Sequence, residues 1–201
     1  MKSRTRARTT GAQPELAYLQ LADSARTLAR VAEEGAELAE TIAQLFARTL
    51  KAGRAIYFCG NGGSAADSQH LACELSGKFF KDRTPLNAAS LNVNVSVLTA
   101  LSNDFDYAEV FERQVRAHGR KGDILVGITT SGRSVSILNA LKSARKLGLK
   151  TVGFTGEKGR SMGRLCDLLV VIPSEVTPRI QEGHILMGHV ICARTEAILF
   201  P

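Results

Sequence analysis

No stretch of this chain approaches the roughly 18 to 20 consecutive apolar residues needed to span a bilayer, and no apolar segment follows its basic start. Neither a membrane protein nor a secretory signal is expected, and the body reads as soluble and cytoplasmic. Cysteine is scarce: Cys59, Cys73, Cys166 and Cys192 lie far apart and form no C-x-x-C pair. That spacing argues against a disulfide framework and a thiolate zinc site, and mostly apolar neighbours point to buried, reduced thiols. Tandem repeats are absent, as is low-complexity sequence beyond the first ten residues.

Acidic residues are missing from Met1–Thr10, which carries Lys2, Arg4, Arg6 and Arg8. Four of the seven net positive charges therefore fall in ten residues, and the rest of the chain is nearly balanced. The segment 1–13 is expected to be a disordered, solvated basic tail, which makes nucleic acid an unexpected partner. Hydrophobic residues make up 44% of the 201, ample for the core of one α/β domain over residues 14–201, N-terminal helices 14–50 included.

From Pro14 to about Leu50 the chain is rich in Ala, Leu, Glu, Arg and Gln. Leu38, Ile42, Leu45, Phe46 and Leu50 recur at helical spacing. One or two helices are expected here, broken near Gly35. From Ala55 the rhythm changes to short apolar runs, AIYFC (55–59), DILVGI (123–128), KTVGF (150–154) and DLLVVI (167–172), with AASL (88–91) a shorter fifth. Each leads into a turn or a Pro and, mostly, a helical pattern. Strands that are apolar throughout and separated by helices indicate a parallel sheet covered on both faces. Helices are expected over Ser64–Ser76, closed by Gly77, over Ser134–Leu147, closed by Gly148, and over Pro178–Leu199. Gly183 and Gly188 interrupt the last of these at about 0.5–1 kcal/mol each relative to Ala, which suggests close approach by another backbone or a ligand.

Two turns carry the chemistry. C-G-N-G-G-S-A (59–65) joins a strand end to a helix start, where glycines admit a ligand and exposed amides favour an anion such as phosphate. Gly60-x-Gly62-x-x-Ala65 also fits a dinucleotide fingerprint, but the acid required about 20 residues on would have to be Asp82, in a charged loop before a Pro. I-T-T-S-G-R-S (128–134) repeats the design with Thr129, Thr130, Ser131 and Ser134 as hydroxyl donors. Tight turns with Ser134 as a simple helix cap would explain either loop alone. Two of them at carboxyl ends of parallel strands favour one ligand crevice.

Histidines mark the rest. His70 and Glu74 are one helical turn apart and share a face, able to grip one metal ion or one substrate, although such a pair is commonly a solvated surface contact. On the last helix Gln181 and His189 lie on nearly the same face, while His184 points about 140° from His189. Spacing does not choose between His184 and His189. His118 reads as a charge partner at a helix end.

The runs GNGGSAADSQHLACE, LSNDF (101–105), GITTSGRS (127–134) and TPRIQEGHILMGH (177–189) together resemble the phosphoheptose isomerases of the sugar-isomerase (SIS) superfamily, from Ala55 to the C-terminus. The resemblance implies a three-layer α/β/α sandwich around a five-stranded parallel sheet. It also implies a homotetramer with interfacial active sites, and conversion of sedoheptulose 7-phosphate to D-glycero-D-manno-heptose 7-phosphate, the first step of heptose-nucleotide precursor synthesis. Carried over, the Zn²⁺ ligands are His70, Glu74, Gln181 and His189, with Glu74 and His189 also the proton-transfer pair. Sugar-phosphate contacts fall on Asn61, Gly62, Gly63 and Ser64, on Asn103 and Asp104, and on Thr129, Thr130, Ser131 and Ser134. Lys78 stands where Arg is usual, keeping the charge without the bidentate fork, and Thr129 and Arg133 replace a more common Ser and Asn.

Interconverting ketose and aldose moves a proton between C1 and C2 through an enediol, which requires a base at carbon and an acid at oxygen. Glu74 suits the first role and His189 the second, with the metal polarising the carbonyl. A zinc-bound carboxylate is a weaker base, so either Glu74 leaves the metal during turnover or the ion chiefly orients. Two alternatives stand beside this reading. A non-catalytic SIS adaptor that binds the replication initiator has no need of a carboxylate at 74, and SIS isomerases of other sugar phosphates usually carry further domains.

Overall fold

The computed structural model describes residues 14–201. The basic segment and the boundary expected at residue 13 lie outside the described residues. Strands β1 (Ile56–Gly60), β2 (Ala88–Ser90), β3 (Ile124–Ile128), β4 (Lys150–Gly156) and β5 (Leu168–Ile172) pair in parallel in the order β2-β1-β3-β4-β5. Helices α1 (Pro14–Lys51), α2 (Gly63–Ser76), α3 (Val95–Asp104), α4 (Val110–His118), α5 (Val135–Lys146) and α6 (Thr177–Leu199) accompany them. Two 3₁₀ stretches, Tyr107–Glu109 and Glu157–Leu165, complete the elements.

Alternation along each strand divides the core in two. Ile56, Phe58, Ile124, Val126, Ile128, Val152, Phe154, Val170 and Ile172 face one way and pack with Ile42 and Phe46 of α1, Leu71 and Leu75 of α2 and Ile180, Met187 and Ile191 of α6. Cys59 and Leu125 face the other way, against Phe111 and Val115 of α4, Ile137 and Leu141 of α5 and Met162. Burial on both faces is why the runs read as continuous rather than alternating. The expected sandwich and five-stranded parallel sheet are both present.

Three expectations change. The first helix is unbroken, because Gly35 is a contact rather than a hinge: a Cβ there would lie 3.1 Å from Met187 Sδ, so the glycine lets α1 cross close to α6. At Gly183 and Gly188 the close approach is by side chains rather than backbone. Their close neighbours are the side chains of Ile172 and Leu71, which seat α6 on β5 and α2. Cys59 and Cys192 are buried as expected and Cys166 is half-buried, but Cys73 is exposed, on the outer face of α2. All four are free thiols.

Candidate active site

Strands β1 and β3 are neighbours whose following connections run to opposite sides, so the crevice at their carboxyl ends is the switch point of the sheet. Both chemical turns open there. After β1, Gly62 takes φ 57°, a left-handed conformation that favours glycine, and Gly63 begins α2. After β3, Gly132 takes φ 63° and packs on Gly159 of the following 3₁₀ stretch. The Ser134 hydroxyl makes no capping bond to α5; it lies 3.0 Å from Thr129 Oγ1, with Ser131 Oγ 3.5 Å from that same atom. Hydroxyls gathered about one point rather than spent on a helix end leave donors for an anion.

Asn61 ties the two turns together. Its amide donates to Ser136 Oγ at 3.1 Å, and its carbonyl accepts from the Tyr107 hydroxyl at 2.7 Å. Asn92 braces the first turn from beneath, accepting from the Gly60 N–H at 3.2 Å and donating to the Gly60 carbonyl at 2.9 Å. Ser64 is buried at the first turn of α2. Asn103 donates to Asp104 at 2.8 Å, exposed at the end of α3 beside the 3₁₀ turn that carries Tyr107. A cavity of about 210 Å³ opens beside the second turn, lined by Thr130, Ser131, Arg133, Lys158, Glu175 and Thr177. A larger one of about 550 Å³, between the ends of α1 and α6, holds none of these residues.

The histidine question resolves on α6. His189 Nε2 lies 2.8 Å from His70 Nε2, and His70 Nε2 lies 3.1 Å from Glu74 Oε1. Among the described residues, His70, Glu74 and His189 present three ligand atoms all within 4.8 Å of one another. In a tetrahedral site with bonds of about 2.0–2.1 Å, ligand atoms stand about 3.3 Å apart, so this donor set fits a zinc-like ion. Gln181 is set differently, with its side-chain amide filling the space a Cβ on Gly63 would take, at the other end of α2. His184 points away into the core, 1% exposed, its ring edge-on to Phe154 at 5.7 Å. His118 is exposed at the end of α4.

Several residues about the site were not anticipated. Asp67, one turn before His70 on α2, has a carboxylate oxygen buried without a hydrogen-bond partner among the described residues. Burial raises its pKa to about 6, with the nearby His70 opposing. Its i−3 spacing from His70 was a usable signal. Tyr107 and Ser136 carried none, since their contacts to Asn61 join parts of the chain 46 and 75 residues apart. Phe79 stands beside the trio, its ring 5.8 Å from that of His189.

A parallel sheet of this order, with two glycine- and hydroxyl-rich turns at its switch point, is the arrangement of an SIS domain, one of the doubly wound α/β folds. The family model described as "SIS domain" matches residues 20–156. The phosphoheptose isomerase of Aliarcobacter butzleri is 51% identical over 166 residues, covering 83% of this chain and 88% of that protein. That of Clostridium acetobutylicum is 48% identical, covering 82% and 84%. The solved phosphoheptose isomerase of Neisseria gonorrhoeae superposes with a TM-score of 0.86 at 37% identity, covering 91% of this chain and 98% of that one. The chain belongs to the phosphoheptose isomerase family and is an isomerase.

Proposed function

We propose that the chain converts D-sedoheptulose 7-phosphate into D-glycero-D-manno-heptose 7-phosphate. The observation that carries the reading is the convergence of Glu74 with His189, 3.1 Å and 2.8 Å from a shared His70, beside two anion-ready turns. Asn61, Gly62, Gly63 and Ser64, with Thr129, Thr130, Ser131 and Ser134, hold the phosphate by neutral donors and helix N-termini. Asn103 and Asp104 receive the sugar hydroxyls. The Glu74 carboxylate takes the C1 proton while His189 donates a ring N–H proton to the C2 oxygen, giving the enediol. His189 then takes the O1 proton as Glu74 returns its own to C2, and both groups finish as they began. His70, Glu74 and His189 would hold Zn²⁺, and Gln181, which rests against Gly63, would complete the set by swinging toward them; the bound ion would polarise the substrate carbonyl and stabilise charge developing on oxygen.

Assembly as a homotetramer with interfacial sites belongs to the same reading, supported by the exposed Leu16, Tyr18, Leu19 and Leu21 on α1 and Phe80 beside the site. The adaptor alternative has no use for a converged proton-transfer pair. The test is turnover of sedoheptulose 7-phosphate by the zinc-loaded protein, followed by NMR. Wild type should yield the aldose, and Glu74→Gln should be slower by about 10²–10⁴-fold. Absence of turnover by wild type, or equal rates for the two proteins, would reject the assignment.

A further inference from the structure

Behind the trio lies a buried ion pair that the proton-transfer scheme does not use. Arg83 Nε donates to Glu196 Oε2 at 3.1 Å, and both side chains are only 2% exposed. Glu196 sits near the end of α6; Arg83 lies in the loop that leaves α2. Burying two charges is expensive, and an apolar pair of similar volume commonly serves stability as well. Direction is what charges add, and here it is explicit. Arg83 sends Nη2 to the carbonyl of Glu74 at 2.9 Å, and Nη1 to those of Leu75 at 2.7 Å and Gly77 at 2.8 Å. These carbonyls belong to the open end of α2, where a helix leaves its last acceptors unfilled and tends to fray. Glu74 stands in that last turn.

Glu196 holds the other side. Its carboxylate accepts from the backbone N–H groups of Phe79 at 3.1 Å, Phe80 at 2.8 Å and Lys81 at 2.9 Å. That grip fixes the loop carrying Phe79, whose ring packs on His189. One ion pair therefore controls the end of α2 that presents Glu74 and the loop wall against which His189 rests. Burial would raise the Glu196 carboxyl pKa, but the three backbone donors and Arg83 outweigh it and hold the pKa below the usual range, keeping the group ionised.

We propose that Arg83 and Glu196 are positioning residues for the isomerisation, holding Glu74 and His189 in register for proton transfer and metal binding without touching substrate. The inference rests on the roles given above to Glu74 and His189. It is tested in the full chain with Arg83→Lys, which keeps the charge and loses the planar fork, and Glu196→Gln, which loses the charge. Three readouts are needed: zinc affinity of the metal-stripped protein by chelator competition, kcat and KM on the heptose phosphate, and thermal unfolding.

Both folded variants should lose about tenfold in kcat and in zinc affinity, with KM within about twofold of wild type. Arg194→Gln breaks the exposed Arg194–Glu40 pair, which joins the same α6 to α1 with a 2.8 Å contact, and should change none of these. Wild-type kcat and zinc affinity in the two variants would overturn the proposal. Loss of fold in both would overturn it too, since the pair would then hold the fold rather than the reacting groups. A wild type that neither binds zinc nor turns over would remove the parent reading along with this one.

Discussion

His184 and His189 lie little more than a turn apart on α6 and are opposite kinds of group. His189 reaches His70 across 119 residues of sequence, whereas neither ring nitrogen of His184 has a hydrogen-bond partner among the described residues. Burial pulls the His184 pKa from 6.5 to about 4, a part of the shift being offset by the adjacent backbone of Thr155. The consequence is a pH dependence with a definite sign. Between pH 6.5 and 4 the unfolded chain takes up a proton at this position that the folded chain refuses, so stability falls as pH falls through that window. The full swing is about 3 kcal/mol. Replacing His184 by Leu should flatten the urea-unfolding free energy between pH 7 and pH 4.5 relative to wild type. An unchanged slope would show that the acid sensitivity has another source. The residue types and the one-turn spacing of His70 and Glu74 were visible in the sequence. Which histidine of α6 joins them was not fixed by spacing, because a helical repeat gives relative angles and only the docked helix says which angle faces the site.

Elements were more legible than contacts. Five short apolar runs gave all five strands to within two residues at each end, since burial on both faces leaves an unbroken apolar signature. Gly35 misled because a mid-helix glycine looks alike whether it breaks a helix or lets one pass close to another, and only the position of Met187 separates the two cases. The same logic makes Gly188 a test of how α2 and α6 dock. A Cβ there would lie 2.7 Å from Leu71 Cδ1 and closer still to Cδ2, within a core where Leu71 is 1% exposed and has no free space to move into. Gly188→Ala should therefore destabilise the fold by about 1–3 kcal/mol despite the better helix propensity of Ala. Because α2 carries His70 and Glu74 while α6 carries His189, the same change should also weaken zinc binding at temperatures where the protein remains folded. Urea unfolding and metal titration of one preparation read both effects. Destabilisation with unaltered metal affinity would mean that the helices yield away from the trio.

At the scale of the whole molecule the charge distribution and the site can be weighed against each other. The net charge is +7, of which four units belong to Met1–Thr10, ahead of the residues that match the SIS model. The remaining excess is modest, yet it is placed to matter: Arg133 and Lys158 line the cavity beside the second turn, with Glu175 pairing Lys158 at 2.7 Å and, among the described residues, no ion pair to Arg133. A substrate that is a phosphate dianion is drawn by such a local field, whereas charge lying farther than about 8–10 Å from it is screened at physiological salt. Deleting Met1–Thr10 should then leave kcat/KM on the heptose phosphate within about twofold of the full chain at 0.15 M salt, because the site residues named above and the SIS match all fall after it. The sedimenting mass per assembly should fall only by the deleted residues. A loss of turnover that persists at high salt would place the tail within reach of an active site. A loss confined to low salt would show that it acts as a long-range electrostatic guide.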